Sequence, residues 1–322
     1  MAQARGTQTT FTLVEETAYG TTPGTPAGQQ LYLTANNIQA NQTLIDSNTL
    51  QANRERDQPV EGNISVTGTL DFELGAEWSG TLFKHIMGNN VDSGADPYTH
   101  TMDLQDDLPA GFMVETDYGS NISGDRYRYF NGLRVASASL TFPAEGFCTA
   151  SVNVIGSNES ADSSPLDASI DDNGNTPFSA FLATIEEGGG SIATVLSATI
   201  NLDNGLDESS YVIGNSGVRT ALPEGFATVT GTLTAQFDSV TLLDKAIAGT
   251  ESSLKIMLTR GDGLGSAGNE YMEFFVQQLL YERTTPPITG PAGVIVTLPF
   301  KSYLSGSTSA LQVIIKNAVA TV

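Results

Sequence analysis

Polar and apolar positions alternate with a period of two wherever the chain shows a pattern, and the alternating stretches are rich in Thr, Val, Ile, Phe and Tyr. Such side chains suit pleated, half-buried surfaces, so most of the chain reads as sheet. Over residues 64–74 the apolar face is Ile64, Val66, Leu70, Phe72 and Leu74, with Gly68 among them. Ser65, Thr67, Thr69, Asp71 and Glu73 point the other way, so one face packs and the other meets water. The period then changes. Trp78, Leu82, Phe83 and Ile86 recur at helical spacing across residues 76–87, and Gly88 stands where a C-terminal cap belongs. The spacing predicts a short helix lying on the sheet.

The same order returns in the second half. Glu61-Gly62-Asn63-Ile64-Ser65-Val66-Thr67-Gly68-Thr69-Leu70 is matched by Glu224-Gly225-Phe226-Ala227-Thr228-Val229-Thr230-Gly231-Thr232-Leu233, with seven of the ten positions identical at an offset of 228 minus 65, or 163. Each copy is followed by a helix-like segment ending in glycine, residues 81–88 and 241–249. Downstream, residues 112–116 correspond loosely to 254–258, 127–142 to 270–283, and 147–155 to 294–300. Upstream, residues 29–40 resemble 191–202. Ordered agreement of this kind points to an internal duplication. The expected domains are residues 1–157, with an N-terminal arm, and 178–322, with a C-terminal segment. Residues 158–177 are polar, with Asn158, Glu159, Asp162, Ser163, Ser164, Pro165, Asp171, Asp172 and Asn173, and read as the linker.

Two further segments read as irregular. Residues 19–26 carry Gly20, Pro23, Gly24 and Pro26, which rules out helix. Residues 48–59 hold Arg54, Glu55, Arg56 and Asp57 in a row and form either an arm that contacts a neighbouring subunit or a solvated surface loop. The apolar tail, with Leu311, Val313, Ile314, Ile315, Val319 and Val322, is either the last strand of its own domain or an arm for an adjacent molecule.

Charge narrows the function classes. There are 36 acidic and 14 basic residues among 322, a net charge of −22, with 39% hydrophobic content. The chain is acidic yet able to build cores. Such a surface repels duplex phosphates and anionic lipid, which argues against groove binding and membrane attachment but not against a pore that DNA traverses. Cys148 is the single cysteine, so no intramolecular disulfide is available. No apolar run of about 18 residues occurs, and the start of the chain lacks a signal-peptide pattern, so an unsecreted product is expected.

Catalytic chemistry has little to work with, and neither an enzyme nor a cofactor is expected. The two histidines are His85, in a helix-like stretch, and His100, in a loop; neither pattern suggests a zinc cluster or a nucleophile-base pair. Residues 169–175 resemble a calcium loop at Asp171, Asn173 and Gly174, but Ser169 stands at the first ligand position and Ala180 where the bidentate Glu belongs. Gly188-Gly189-Gly190 lacks the lysine of a phosphate cradle and reads as a turn. The methionines read as core filling.

One resemblance is specific. Glu15-Glu16-Thr17-Ala18-Tyr19-Gly20-Thr21-Thr22-Pro23-Gly24-Thr25-Pro26, then residues 44–56, then Gly62-Asn63-Ile64-Ser65-Val66-Thr67-Gly68-Thr69-Leu70-Asp71-Phe72-Glu73-Leu74, then residues 82–88 resemble the tail tube proteins of long-tailed, non-contractile phages. The likeness covers most of residues 10–90. It implies a mainly β fold of two tandem tail-tube-type β-sandwich or partial-barrel domains, each with one short flanking α-helix. Family members with one such domain form hexameric rings, so a chain with two copies would close a pseudo-sixfold ring from three subunits. The implied role is a virion tail protein, assembled in the host cytoplasm, that conducts DNA during ejection. The implied partners are other copies of itself, the tape-measure protein in the lumen, tail tip and tail terminator proteins, and passing double-stranded DNA held without specific binding. On that reading the lumen is lined by Ser65, Thr67, Thr69, Asp71 and Glu73 from the first domain and Thr228, Thr230, Thr232, Thr234 and Gln236 from the second. The other reading puts these faces on the outside, where the charge serves solubility. A different functional class, a carbohydrate-binding or adhesive β module on a virion surface, is the alternative.

Overall fold

The alternation of residues 64–74 belongs to a longer strand than the pattern marks. In the computed structural model, which describes residues 3–288 and 290–322, that strand runs over Val60–Glu73, and Val66, Leu70 and Phe72 are buried on one face. The first half contains β1 (Thr10–Glu15), β2 (Gly28–Leu31), β3 (Ala35–Asn36), β4 (Gln39–Ile45), β5 (Val60–Glu73), helix α1 (Gly80–Met87), β6 (Val91–Gly94), β7 (Tyr98–Asp103), β8 (Phe112–Asp117), β9 (Tyr127–Phe142), β10 (Thr149–Gly156) and β11 (Asn158–Asp162). The second half contains β12 (Thr184–Glu187), β13 (Gly190–Ser191), β14 (Val195–Asp203), β15 (Thr228–Gln236), helix α2 (Thr241–Ala248), β16 (Ser252–Thr259), β17 (Tyr271–Tyr281), β18 (Ile295–Ser302) and β19 (Gln312–Asn317). The chain is mainly β, and its strands pair antiparallel in one large sheet system.

Hydrogen-bonded neighbours run β4–β5–β10–β9–β8–β1–β2 in the first half and β14–β15–β18–β17–β16–β12–β13 in the second. The two orders are the same when β3 and β4 together stand for β14. Registers agree as well: Asn36 opposes Leu70 as Ala198 opposes Leu233, and Gly68 opposes Val154 as Gly231 opposes Phe300. Among the register breaks of the two halves, one falls at an equivalent position, between Phe112 and Val114 on β8 and between Ser252 and Leu254 on β16. This bulge aligns Phe112 with Ser252, two residues away from the match made on sequence strings.

Each helix ends on a left-handed glycine, Gly88 (φ 102°) and Gly249 (φ 62°), whose N–H reaches back to Lys84 or Lys245. These lysines also tie their helices to the sheet, Lys84 to Glu15 at 2.8 Å and Lys245 to Glu187 at 2.7 Å. Helix α1 begins at Gly80, later than its spacing predicts, because residues 75–79 form a turn in which the Ser79 hydroxyl donates to the Gly75 carbonyl at 2.6 Å and Trp78 is buried.

Two segments differ from their sequence reading. Within the expected linker, Asn158–Asp162 forms β11 against the start of β9 and the Gly28 N–H donates to the Asp167 carboxylate at 2.8 Å; directly after it, the Phe178 N–H reaches the Leu74 carbonyl at 2.7 Å. The segment has few apolar side chains but is stitched to the first half by backbone bonds, which composition does not register. The tail is a strand: β19 lies between β17 and β7, so it bridges the halves, and Val313 and Ile315 are fully buried. That placement excludes the tail as a free arm. A single apolar cluster runs through both halves, joined where Phe274 packs on Phe83 and Phe142 at centroid distances of 5.5 and 5.2 Å.

Candidate functional site

In an antiparallel sheet directly opposed residues share a face, so pairing register shows where the polar positions meet. Asp71 lies across from Ser151, Ser151 from Ser139, Ser139 from Asn201, Asn201 from Thr230 and Thr230 from Lys301. One residue pair along, Glu73, Thr149, Thr141, Thr199 and Thr232 form a parallel row; on the other side run Thr69, Asn153, Ser137, Asp203 and Thr228. The ten positions singled out by alternation, Ser65, Thr67, Thr69, Asp71, Glu73, Thr228, Thr230, Thr232, Thr234 and Gln236, therefore fall on one continuous face spanning both halves.

Sequence reading missed the middle of this face, Ser137, Ser139, Ser151, Asn153, Thr199 and Asn201. The signal was present, since the same alternation runs through residues 137–142, 149–154 and 197–203. Side chains on the face bond to one another: Asn37 with Thr69 (2.7 Å), Ser139 with Asn201 (2.7 Å), Asn153 with Ser137 (2.8 Å) and Thr199 with Thr232 (2.8 Å). In these rows carboxylates enter only at Asp71, Glu73 and Asp203, and a cation only at Lys301. The face is hydroxyl and amide first, acidic second.

The face is continuous because β9 also pairs with β14, from Ser137 opposite Asp203 to Phe142 opposite Ala198. The loop at residues 204–227 reinforces this joint by lying on the first half. Arg219, 3% exposed, donates to the Gly156 carbonyl at 2.6 Å, while its own carbonyl accepts from the Ser157 hydroxyl at 2.8 Å. Arg134 donates to Glu224 at 2.5 Å, and Asn204 reaches the Ile86 carbonyl on α1 at 3.2 Å.

The equivalent loop of the first half, residues 46–59, has no such seat. Arg54, Glu55, Arg56 and Asp57 are all exposed, and among the described residues Arg56 forms an ion pair only with Asp46 of its own loop, at 2.5 Å. Leu44, Ile45, Leu50 and Val60 beside them are exposed as well.

Both histidines have structural partners. His85, on α1, is buried against Glu15 (3.0 Å), and burial lowers its pKa despite that carboxylate. His100 lies in β7, not in a loop, because residues 98–103 pair with β6 and β19; its ring nitrogens contact Asp92, Asn317 and the Val319 carbonyl. Asp172 of the calcium-like segment accepts from Tyr32 and the Gly174 N–H instead.

Carboxyls between elements give stability a pH dependence. Burial, reinforced by the neighbouring Glu270 carboxyl, pushes Glu77 up to about 7, and burial likewise pushes Glu16 up to about 7. These groups bind protons more tightly in the folded chain, so their contribution is full below about 4.5 and is lost as pH rises to about 7. Glu15 has the opposite sign. Burial opposes its charge, but the hydrogen bonds from His85 and Lys84 outweigh burial and hold it at about 2, so its contribution is lost as pH falls from about 4.5 toward 2. Glu77→Gln is expected to flatten the decline in melting temperature between about pH 4.5 and pH 7 and to melt higher than wild type at about pH 8. An unchanged pH slope would show that the Glu77 proton does not contribute.

The family described as phage tail tube protein matches residues 6–302. No curated protein matches the chain.

Proposed function

Because the chain belongs to the phage tail tube protein family, we propose that it polymerises into stacked rings of three copies, each ring pseudo-sixfold, with the polar sheet face lining a channel for DNA. The observation that carries this reading is the polar face that crosses from β5 to β18 through the β9–β14 joint without interruption. A lumen needs a wall of this kind: wettable, bonded within itself and poor in cations. Duplex DNA carries one charge per about 1.7 Å of axis, so a basic wall would hold it at many points, whereas hydroxyls and a few carboxylates bind it weakly.

A second observation favours polymerisation. Strand β4 pairs only with β5 among the described strands, and six of its seven residues are exposed. Its counterpart β14 uses the same outer edge to pair with β9. Unpaired edges invite addition of another strand, and ring closure removes them. On this reading each chain contributes two tandem domains to the ring, the tape-measure protein occupies the lumen during assembly in the host cytoplasm, and tip and terminator proteins close the ends. The family match gives the carbohydrate-binding alternative no support.

The test is electron microscopy of concentrated protein. Hollow tubes whose rings contain three copies are expected; compact particles at every concentration, or rings of another copy number, would reject the trimeric tube.

A further inference from the structure

The two halves share one strand order with matching registers, and one of the two joints that a ring of them requires is already present inside the chain. The unoccupied joint can therefore be read from the occupied one. Arg219 precedes Glu224-Gly225 by five residues, as Arg56 precedes Glu61-Gly62, at the same offset of 163. Each arginine pairs with a carboxylate at the start of its loop, Arg219 with Glu208 at 3.9 Å and Arg56 with Asp46 at 2.5 Å. Only their surroundings differ. The Arg219 side chain is 2% exposed against the first half, whereas the Arg56 side chain is 62% exposed.

We propose that residues 46–59 dock on the second half of an adjoining copy of this chain, with the Arg56 guanidinium bonded to the backbone carbonyl of Ser302 at the end of β18. Ser302 is the equivalent of Gly156, because Lys301 opposes Leu280 on β17 as Ile155 opposes Arg134 on β9. This assignment rests on the ring reading above and specifies which surfaces meet.

The receiving surface carries the marks of an unfilled seat. In the occupied joint α1 is covered, with Ile86 2% exposed; on α2 the equivalent Ile247 is 48% exposed. Leu280 and Leu304, which flank the strand end at Ser302, are exposed, and so are Leu44, Ile45, Leu50 and Val60 around the loop. Apolar surface on both sides is what an interface leaves bare when its partner is absent. The loop also carries more of this joint than its counterpart does. By equivalence with residues 137–142, β4 would lie along residues 282–287, where Pro286 and Pro287 have no N–H to give, so the ladder is shorter there.

Two measurements on the full chain test the assignment. In Arg56→Glu the free chain should melt as wild type does, because Arg56 is exposed there, while the concentration needed for tube formation should rise about tenfold or more, as expected for a lost charged hydrogen bond closed into an interface. Arg219→Ala should instead lower the melting temperature of the free chain. In Glu55→Cys/Leu304→Cys, where both positions are exposed and the native Cys148 is buried, a short bismaleimide should join chains into covalent dimers and trimers in assembled tubes. Tubes that form without this cross-link, or an Arg56→Glu protein that assembles at the wild-type concentration, would overturn the assignment and leave the ring reading standing. A wild-type chain that forms neither rings nor tubes would overturn both.

Discussion

Replacing Gly231 with alanine is expected to destabilise the chain by about 3 kcal/mol or more, the upper range for forcing volume into a packed site. The glycine is not there for an unusual backbone angle, since its φ is not positive. It is there because a Cβ on β15 would fall well inside contact distance of the Thr199 carbonyl oxygen on β14 and of the Phe300 ring on β18. Neither neighbour can yield cheaply. Thr199 lies in the ladder that joins β14 to both β9 and β15, and Phe300 is buried against Tyr281. Gly68 has the same constraint from a different direction, with the Ile38 backbone where its Cβ would be. Gly190→Ala, at the hairpin between β12 and β13, is the control: its nearest neighbour would be 3.8 Å away, so a change within about 0.5 kcal/mol is expected. Urea unfolding followed by the fluorescence of the single tryptophan, Trp78, measures both. Equal midpoints for the two variants would mean that the repeated glycine reflects ancestry rather than packing.

That glycine also shows what the sequence made legible. The Thr-Gly-Thr-Leu string repeats because its steric requirement is local to one strand and its two neighbours, so both copies retain it. The apolar faces of β5 and β15 and the two glycine-capped helices are local in the same sense, and periodicity finds them. Partner choice is different. Nothing near residues 127–142 announces that β9 pairs with β8 and β11 at its start and with β10 and β14 at its end. Those contacts are set by chain closure over long separations, and they create the continuous polar face.

The same limit hid β11 inside a polar segment and His100 inside β7, because backbone pairing can hold a segment with few apolar side chains. It also obscured Arg219. The loop at residues 48–59 stands out by its row of charges, whereas Arg219 is the one charged residue between Glu208 and Glu224. Carrying the offset of 163 from Arg56 would have found it, and with it the difference in burial that distinguishes the two loops.

Lysines placed on the polar face are expected to slow DNA passage without preventing tube assembly. Thr69→Lys with Thr232→Lys is the informative pair, since the two threonines are equivalent, lie near the centre of the face and are only half-buried. The long lysine side chain can leave the sheet from either position without entering the apolar layer. If the face lines the lumen, every ring then presents new cations to a duplex that carries a charge every about 1.7 Å, and contacts that release counterions weaken steeply as salt rises. Release of DNA from phage with the doubly substituted tube should slow by about tenfold in low salt and approach the wild-type rate as ionic strength increases, because screening acts over about 8 Å at physiological salt and less above it. Thr69→Glu with Thr232→Glu separates charge from bulk, since it should assemble and release DNA at the wild-type rate. If the face lies on the outside of the tube, the lysines touch only solvent and release is unaffected at every salt concentration, an outcome that would move the lumen to another surface.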